Sequence, residues 1–262
     1  MVKAAGAPPR LIARLDIKGP NVIKGIHLEG LRVVGQPGPM ARRYYEEGID
    51  EIIYMDTVAS LYGRNNILPV VEEAACDIFV PLTVGGGIRT VEDIVAALRS
   101  GADKAAINTA AVARPDFIKQ AAEAFGSQCI VLSIEAKRRG DGRWEVLTDN
   151  GRERTGIDVQ EWVKRAEDLG AGEILVTSID KEGTRRGFDH ELFRAVRARV
   201  SIPVIGCGGA GTAADVAEAI RGDGLDAVAC ASLFHYDHTP IPVLKEELAA
   251  SGIAVRLLAN AA

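Results

Sequence analysis

The residues best equipped for chemistry are two carboxylates, Asp16 in ARLDIKG and Glu135 in LSIEAKR, each closing a short apolar run. Two carboxylates facing one substrate can act as general acid and general base, provided their surroundings give them different affinities for the proton. The competing use of such groups is ion pairing, here with Lys18, Lys24 or Lys137. Two glycine turns supply a second kind of chemistry: Gly85-Gly86-Gly87 precedes Thr90, and Gly208-Gly209 precedes Thr212. Glycine lets backbone N–H groups close around an anion, and a helix opening at the threonine adds the favourable end of its dipole. Asn108-Thr109 and Ala231-Ser232 can add donors to the same anions. Two such cups suit an elongated small molecule phosphorylated at both ends; the competing reading is that the glycines only make tight turns.

A third set comprises Arg10, Glu51, Lys104 and Glu173, each at the entrance to an apolar run. Taken alone, these four charges read as a stabilising salt-bridge ring. The stretch from Ile17 to Gln36 is longer than an ordinary connection between strand and helix, so it reads as a lid or a short extra hairpin carrying Lys24 and His27.

The elements that must position these groups follow from the pattern. Short β-rich runs at 11–16, 51–56, 80–85, 104–108, 129–136, 173–178, 202–208 and 226–232 alternate with amphipathic segments that end on glycine. Near-continuous apolar strands separated by helices imply a parallel sheet covered by helices. A repeat orders them. VPLTVGGGIRTVEDIVAALRSGADKAAIN (80–108) realigns on IPVIGCGGAGTAADVAEAIRGDGLDAVACA (202–231) with a shift of 122, then 123 after one insertion. Further upstream, LDIK (15–18) matches IEAK (134–137), and GIDEII (48–53) matches GAGEIL (170–175). The expected fold is therefore a single (β/α)8 barrel over residues 1–262, made of half-barrels at about 10–125 and 126–257, with residues 1–9 as a flexible extension. A doubly wound sheet is the alternative. In a barrel the strand C-terminal ends carry the site, which puts Asp16, Asp56, Asn108, Glu135, Thr177 and Ser178 at its mouth.

Composition agrees. The 262 residues are 47% hydrophobic and 26% charged, enough for a sizeable core under a polar surface. A net charge of −5 without a basic block argues against nucleic acid or an anionic membrane as partner. Cys76, Cys129, Cys207 and Cys230 lack metal-ligand spacing and read as buried thiols. With no signal peptide or long apolar stretch, the expected location is cytoplasmic.

The motifs LDIKG, TVGGGIRTVEDI, GADKAAINTAAV, FGSQCIVLSIEAKR, GAGEILVTSIDKEGT and CGGAG resemble the cyclase (HisF-like) subunits of imidazole glycerol phosphate synthase, from about Arg10 to Leu257. The resemblance implies a heterodimer with a glutaminase docked on the N-terminal face of the barrel. Ammonia then passes a gate formed by Arg10, Glu51, Lys104 and Glu173 and meets a doubly phosphorylated aminoimidazole ribonucleotide. That substrate is cleaved and cyclised to imidazole glycerol phosphate and a carboxamide ribonucleotide, without metal or cofactor. By resemblance Asp16 is catalytic and Glu135 stands at the position of the second catalytic carboxylate, while Lys24, Gly86, Gly87, Asn108, Thr109, Gly183, Gly208, Gly209 and Ser232 contact the substrate; Asp56, Thr177 and Ala231 join them as candidate substrate contacts from their places at the barrel mouth. Four features depart from the family: Glu135 and Glu182 stand where it has Asp, Arg14 where it has Cys, and the lid reads KGPN. They resemble a branch associated with surface-polysaccharide (lipopolysaccharide) genes, in which the barrel passes ammonia to a sugar amidotransferase. Two readings stay open: a cyclase, and a non-cyclising conduit.

Overall fold

The computed structural model describes residues 7–59 and 67–257. The extension expected over 1–9 lies largely outside the described residues. Among the described residues twelve strands are formed: β1 (Arg10–Lys18), β2 (Asn21–Ile26), β3 (Glu29–Gly35), β4 (Glu51–Asp56), β5 (Leu82–Gly85), β6 (Lys104–Ile107), β7 (Ile130–Arg138), β8 (Trp144–Thr148), β9 (Glu153–Asp158), β10 (Glu173–Ser178), β11 (Val204–Cys207) and β12 (Ala227–Cys230). Eight of them, in the order β1-β4-β5-β6-β7-β10-β11-β12, are parallel neighbours, and β12 pairs with β1 from Arg10↔Ala227 to Ala13↔Cys230. The sheet is closed, which makes the chain a (β/α)8 barrel and excludes the doubly wound alternative.

Strand alternation sorts the side chains. One face of each strand, with Leu11, Leu15, Ile52, Leu132 and Ile174, packs on the surrounding helices in the large core. The other face fills the lumen: Ile12, Ile53, Val131, Leu175, Ile205 and Ala227 belong to a separate apolar cluster inside the barrel. Along β1 the inward residues run Arg10, Ile12, Arg14, Asp16. The lumen is therefore charged at the bottom, apolar above that, and polar again toward the mouth.

The repeat extends to individual hydrogen bonds. Thr90 and Thr212 each close a capping box with Asp93 and Asp215, at the heads of helices Val91–Arg99 and Ala213–Arg221. Leu82 N–H donates to Asp103 at 2.8 Å, and Val204 N–H to Asp226 at 3.0 Å. Asn108 and Ala231 share an unusual backbone, with φ/ψ of −134/−85 and −124/−75.

Of the two forms open for the 17–36 stretch, it takes the hairpin, β2–β3, joined by His27 and Leu28 with φ of 53° and 64°. Both turn residues are left-handed, as a two-residue hairpin turn requires, and Leu28 accepts that strained conformation while buried against Leu147 and Ile179. A second hairpin, β8–β9, extends antiparallel from β7 where no strand was expected. Asp149-Asn150-Gly151 makes its turn. Finally, only Cys207 and Cys230 are buried; Cys129 is half-buried and Cys76 is exposed on helix Leu68–Asp77. No described helix is long and apolar enough to cross a membrane.

Candidate active site

Asp16 and Glu135 end the inward faces of β1 and β7 on opposite sides of the barrel mouth, and both are buried. Their surroundings differ. The partner of Asp16 is Arg14, not a lysine: Arg14 Nε donates to Asp16 Oδ1 at 2.9 Å. Burial works to raise the Asp16 pKa, but the Arg14 guanidinium and the Lys24 ammonium outweigh it and hold the carboxyl below its ordinary range. Glu135 accepts a hydrogen bond from a neutral donor, Asn108 Nδ2. Burial dominates there and pushes its pKa to about 7. Near neutral pH one carboxylate is ionised and the other is poised to exchange a proton.

The two glycine turns form cups of unequal volume. The first, in a cavity of about 310 Å³, is lined by Asp56, Gly86, Gly87, Asn108, Thr109 and Glu135, together with Arg89, Arg114, Ser133 and Asn150. The second, lined by Glu182, Gly183, Gly208, Gly209, Ala231 and Ser232, has room for about 10 Å³. Glu182, on its lining, holds Lys24 in a buried ion pair, and the β2–β3 tip is tied down by His27, whose N–H donates to the Glu182 carbonyl at 2.9 Å. Thr177 lies below both cups and accepts a hydrogen bond from Arg14 at 2.7 Å, so it lines the lumen. Asp56 caps the backbone N–H groups of Val58 and Ala59 at 3.0 and 2.9 Å.

At the other end of the lumen Arg10, Glu51, Lys104 and Glu173 close a ring of alternating charge. Arg10 bonds Glu51 at 2.7 Å and also Glu173, while Lys104 bonds Glu173 at 2.9 Å and Glu51 at 3.3 Å. The ring is neutral overall, and its carboxylates are the more deeply buried members.

Sequence reasoning missed Arg89, Arg114 and Asn150 at the first cup. The Asn-Gly pair at 150–151 is a hairpin signal that would have placed Asn150 there. The amide oxygen of Asn108 and the amide nitrogen of Asn150 are buried without partners. At Gly86, φ is 90° and an added Cβ would run into the Asp56 carbonyl. Gly86→Ala is therefore expected to lower stability by about 1–3 kcal/mol, read as a reduced denaturation midpoint; an unchanged midpoint would show that the turn relaxes.

A closed barrel with paired, unequal carboxylates at the C-terminal ends of its strands is the architecture of a (β/α)8-barrel enzyme. A family model described as "Histidine biosynthesis protein" matches residues 10–240. The chain is also 65% identical over 202 residues, 77% of its own length and 95% of the relative's, to the imidazole glycerol phosphate synthase subunit HisF of Legionella pneumophila. It belongs to the histidine biosynthesis protein family, as a HisF-like cyclase chain.

Proposed function

We propose that this chain takes ammonia and a doubly phosphorylated aminoimidazole ribonucleotide, and releases imidazole glycerol phosphate and the carboxamide ribonucleotide. The observation that carries this reading is the inequality of the two carboxylates at the mouth. Glu135, with its pKa near 7, exchanges protons with the reacting centre as ammonia adds and the ring closes. Asp16 stays ionised and stabilises positive charge developing on nitrogen. The phosphates occupy the two cups, so the substrate spans the mouth and brings its reacting atoms between the carboxylates. Filling the second cup requires Lys24 to exchange Glu182 for phosphate, which makes this hairpin the lid of the site.

The nitrogen comes from a glutaminase subunit docked beneath the barrel, since the matched relative is itself named as a subunit of a synthase. The ring of Arg10, Glu51, Lys104 and Glu173 is the entrance to the lumen. Lys104→Ala is expected to lower glutamine-dependent turnover severalfold while leaving ammonium-dependent turnover nearly unchanged; equal losses in both assays would return the ring to a purely structural role. The conduit reading is not favoured, because the similarity is to a synthase subunit.

The test is direct. The purified chain, given ammonium and the aminoimidazole ribonucleotide at pH 8, is expected to form imidazole glycerol phosphate without a partner. Substrate that binds but does not turn over would count against cyclisation.

A further inference from the structure

The two halves of the barrel repeat their cups, caps and carboxylates, yet they differ, among other inward positions, at the one immediately below each carboxylate. In the first half that position is Arg14; the alignment that joins Asp16 to Glu135 puts Ser133 in the second. Arg14 is fully buried and crosses the lumen from β1. Its Nε meets Asp16, its Nη1 donates to Thr177 at 2.7 Å and lies 3.7 Å from the Cys207 sulfur, and its Nη2 is buried without a partner. A guanidinium presents five donors in a fixed plane, so anchoring two of its nitrogens fixes where the third points.

We propose that Arg14 is a positioning residue for the cyclase reaction: it makes the two repeat-related carboxylates unequal by clamping Asp16 while leaving Glu135 free to take and give a proton. The proposal rests on the cyclase reading above and deepens it. The groups facing the pair come from every side. Asp16 feels Arg14 from its own strand, Lys24 from β2 and His235 from the short helix Ser232–His235. His235 is itself pushed down to about 4 by burial and by Lys24, so it is neutral near pH 7 and adds no competing charge. Glu135 feels burial first, then Arg14, Asp16, the Asn108 amide and Asp149. Arg14 is the one cation among these that touches Asp16 by a hydrogen bond, and Lys24 is drawn away to Glu182. With Ser133 in the equivalent place, Glu135 has no such clamp.

The test compares Arg14→Met, which keeps the volume and removes the charge, with Arg14→Lys, which keeps the charge. Each variant's kcat/KM for the aminoimidazole ribonucleotide is divided by that of the native chain at each pH and constant total ammonium, so titration of substrate and ammonia cancels. The expected ratio for Arg14→Met falls as pH is lowered, approaching about tenfold per pH unit once Asp16 protonates; Arg14→Lys is expected to flatten it. A flat ratio for Arg14→Met, or the same slope for both variants, would overturn the proposal. Carboxyl carbon NMR of the native chain needs neither variant nor turnover, and so separates this inference from the cyclase reading. Asp16 is expected to titrate below the ordinary Asp value while Glu135 titrates near 7; an Asp16 that titrates at or above the ordinary Asp value sinks the clamp even if the chain cyclises.

Discussion

Glu135→Gln is expected to lower ammonium-dependent cyclisation by orders of magnitude and, at the same time, to stabilise the barrel above pH 7. The loss of activity follows from removing the group that exchanges the proton, an effect of roughly 10²- to 10⁴-fold for a general acid or base. The gain in stability follows from linkage. Glu135 is raised from an ordinary 4.5 to about 7, so its contribution is fully present below pH 4.5 and is lost as pH rises through 7. Glutamine occupies the same volume and still accepts from Asn108, but carries no charge to desolvate. The difference of 7 − 4.5 corresponds to an advantage on the order of 3 kcal/mol above pH 7, vanishing near pH 4. Chemical denaturation at pH 4.5 and 8.5 reads this out. A variant that is less stable than the native chain at pH 8.5 would mean that Glu135 is held as a carboxylate, and would remove it as the proton carrier.

Such a trade of stability for activity is what a functional site looks like from the sequence side, where the local pattern agrees with the fold everywhere except at the chemistry. The barrel itself was legible because its evidence was redundant. Eight apolar runs and a repeat that preserved Thr90 and Thr212, Asp93 and Asp215, Asp103 and Asp226 all pointed to the same closure. The carboxylates were legible for the same reason, each ending an inward-facing strand in its own half. What surrounds them was not. Lysine was the partner considered for Asp16, yet the side chain two residues earlier on the same face supplies the cation, because alternation brings positions 14 and 16 together inside the lumen. Lys24 was expected at the substrate but pairs with Glu182, a contact between strand β2 and a turn far away in sequence that no local period encodes. The β8–β9 hairpin was lost in a segment rich in charge and glycine, although its Asn-Gly turn was visible. Its effect on the site is considerable: it brings Asn150 to the first cup, and the Leu147 carbonyl accepts a hydrogen bond from Asn108 at 3.2 Å.

Asp16→Asn is expected to have the opposite sign on stability from Glu135→Gln, although the repeat makes the two sites equivalents. Asp16 is held below its ordinary pKa, so it stabilises the fold above that ordinary value and ceases to do so only as pH falls through the depressed one. Removing its charge strands Arg14, fully buried, with Thr177, Cys207 and a distant Glu135. Breaking a buried ion pair from one side costs about 3–5 kcal/mol, far more than the pair contributes when intact, because the remaining charge has lost its compensation. The stranded guanidinium then becomes available to Glu135, and the repulsion from Asp16 that helped to raise the Glu135 pKa disappears with it. Glu135 is therefore expected to titrate below 7 in this variant, which places the measurable signature of an Asp16 substitution on the other side of the barrel mouth. Denaturation at pH 7, together with carboxyl NMR of Glu135, tests both halves of the expectation. Full native stability would show that Arg14 finds other partners, and an unshifted Glu135 would show that the two carboxylates do not share a field.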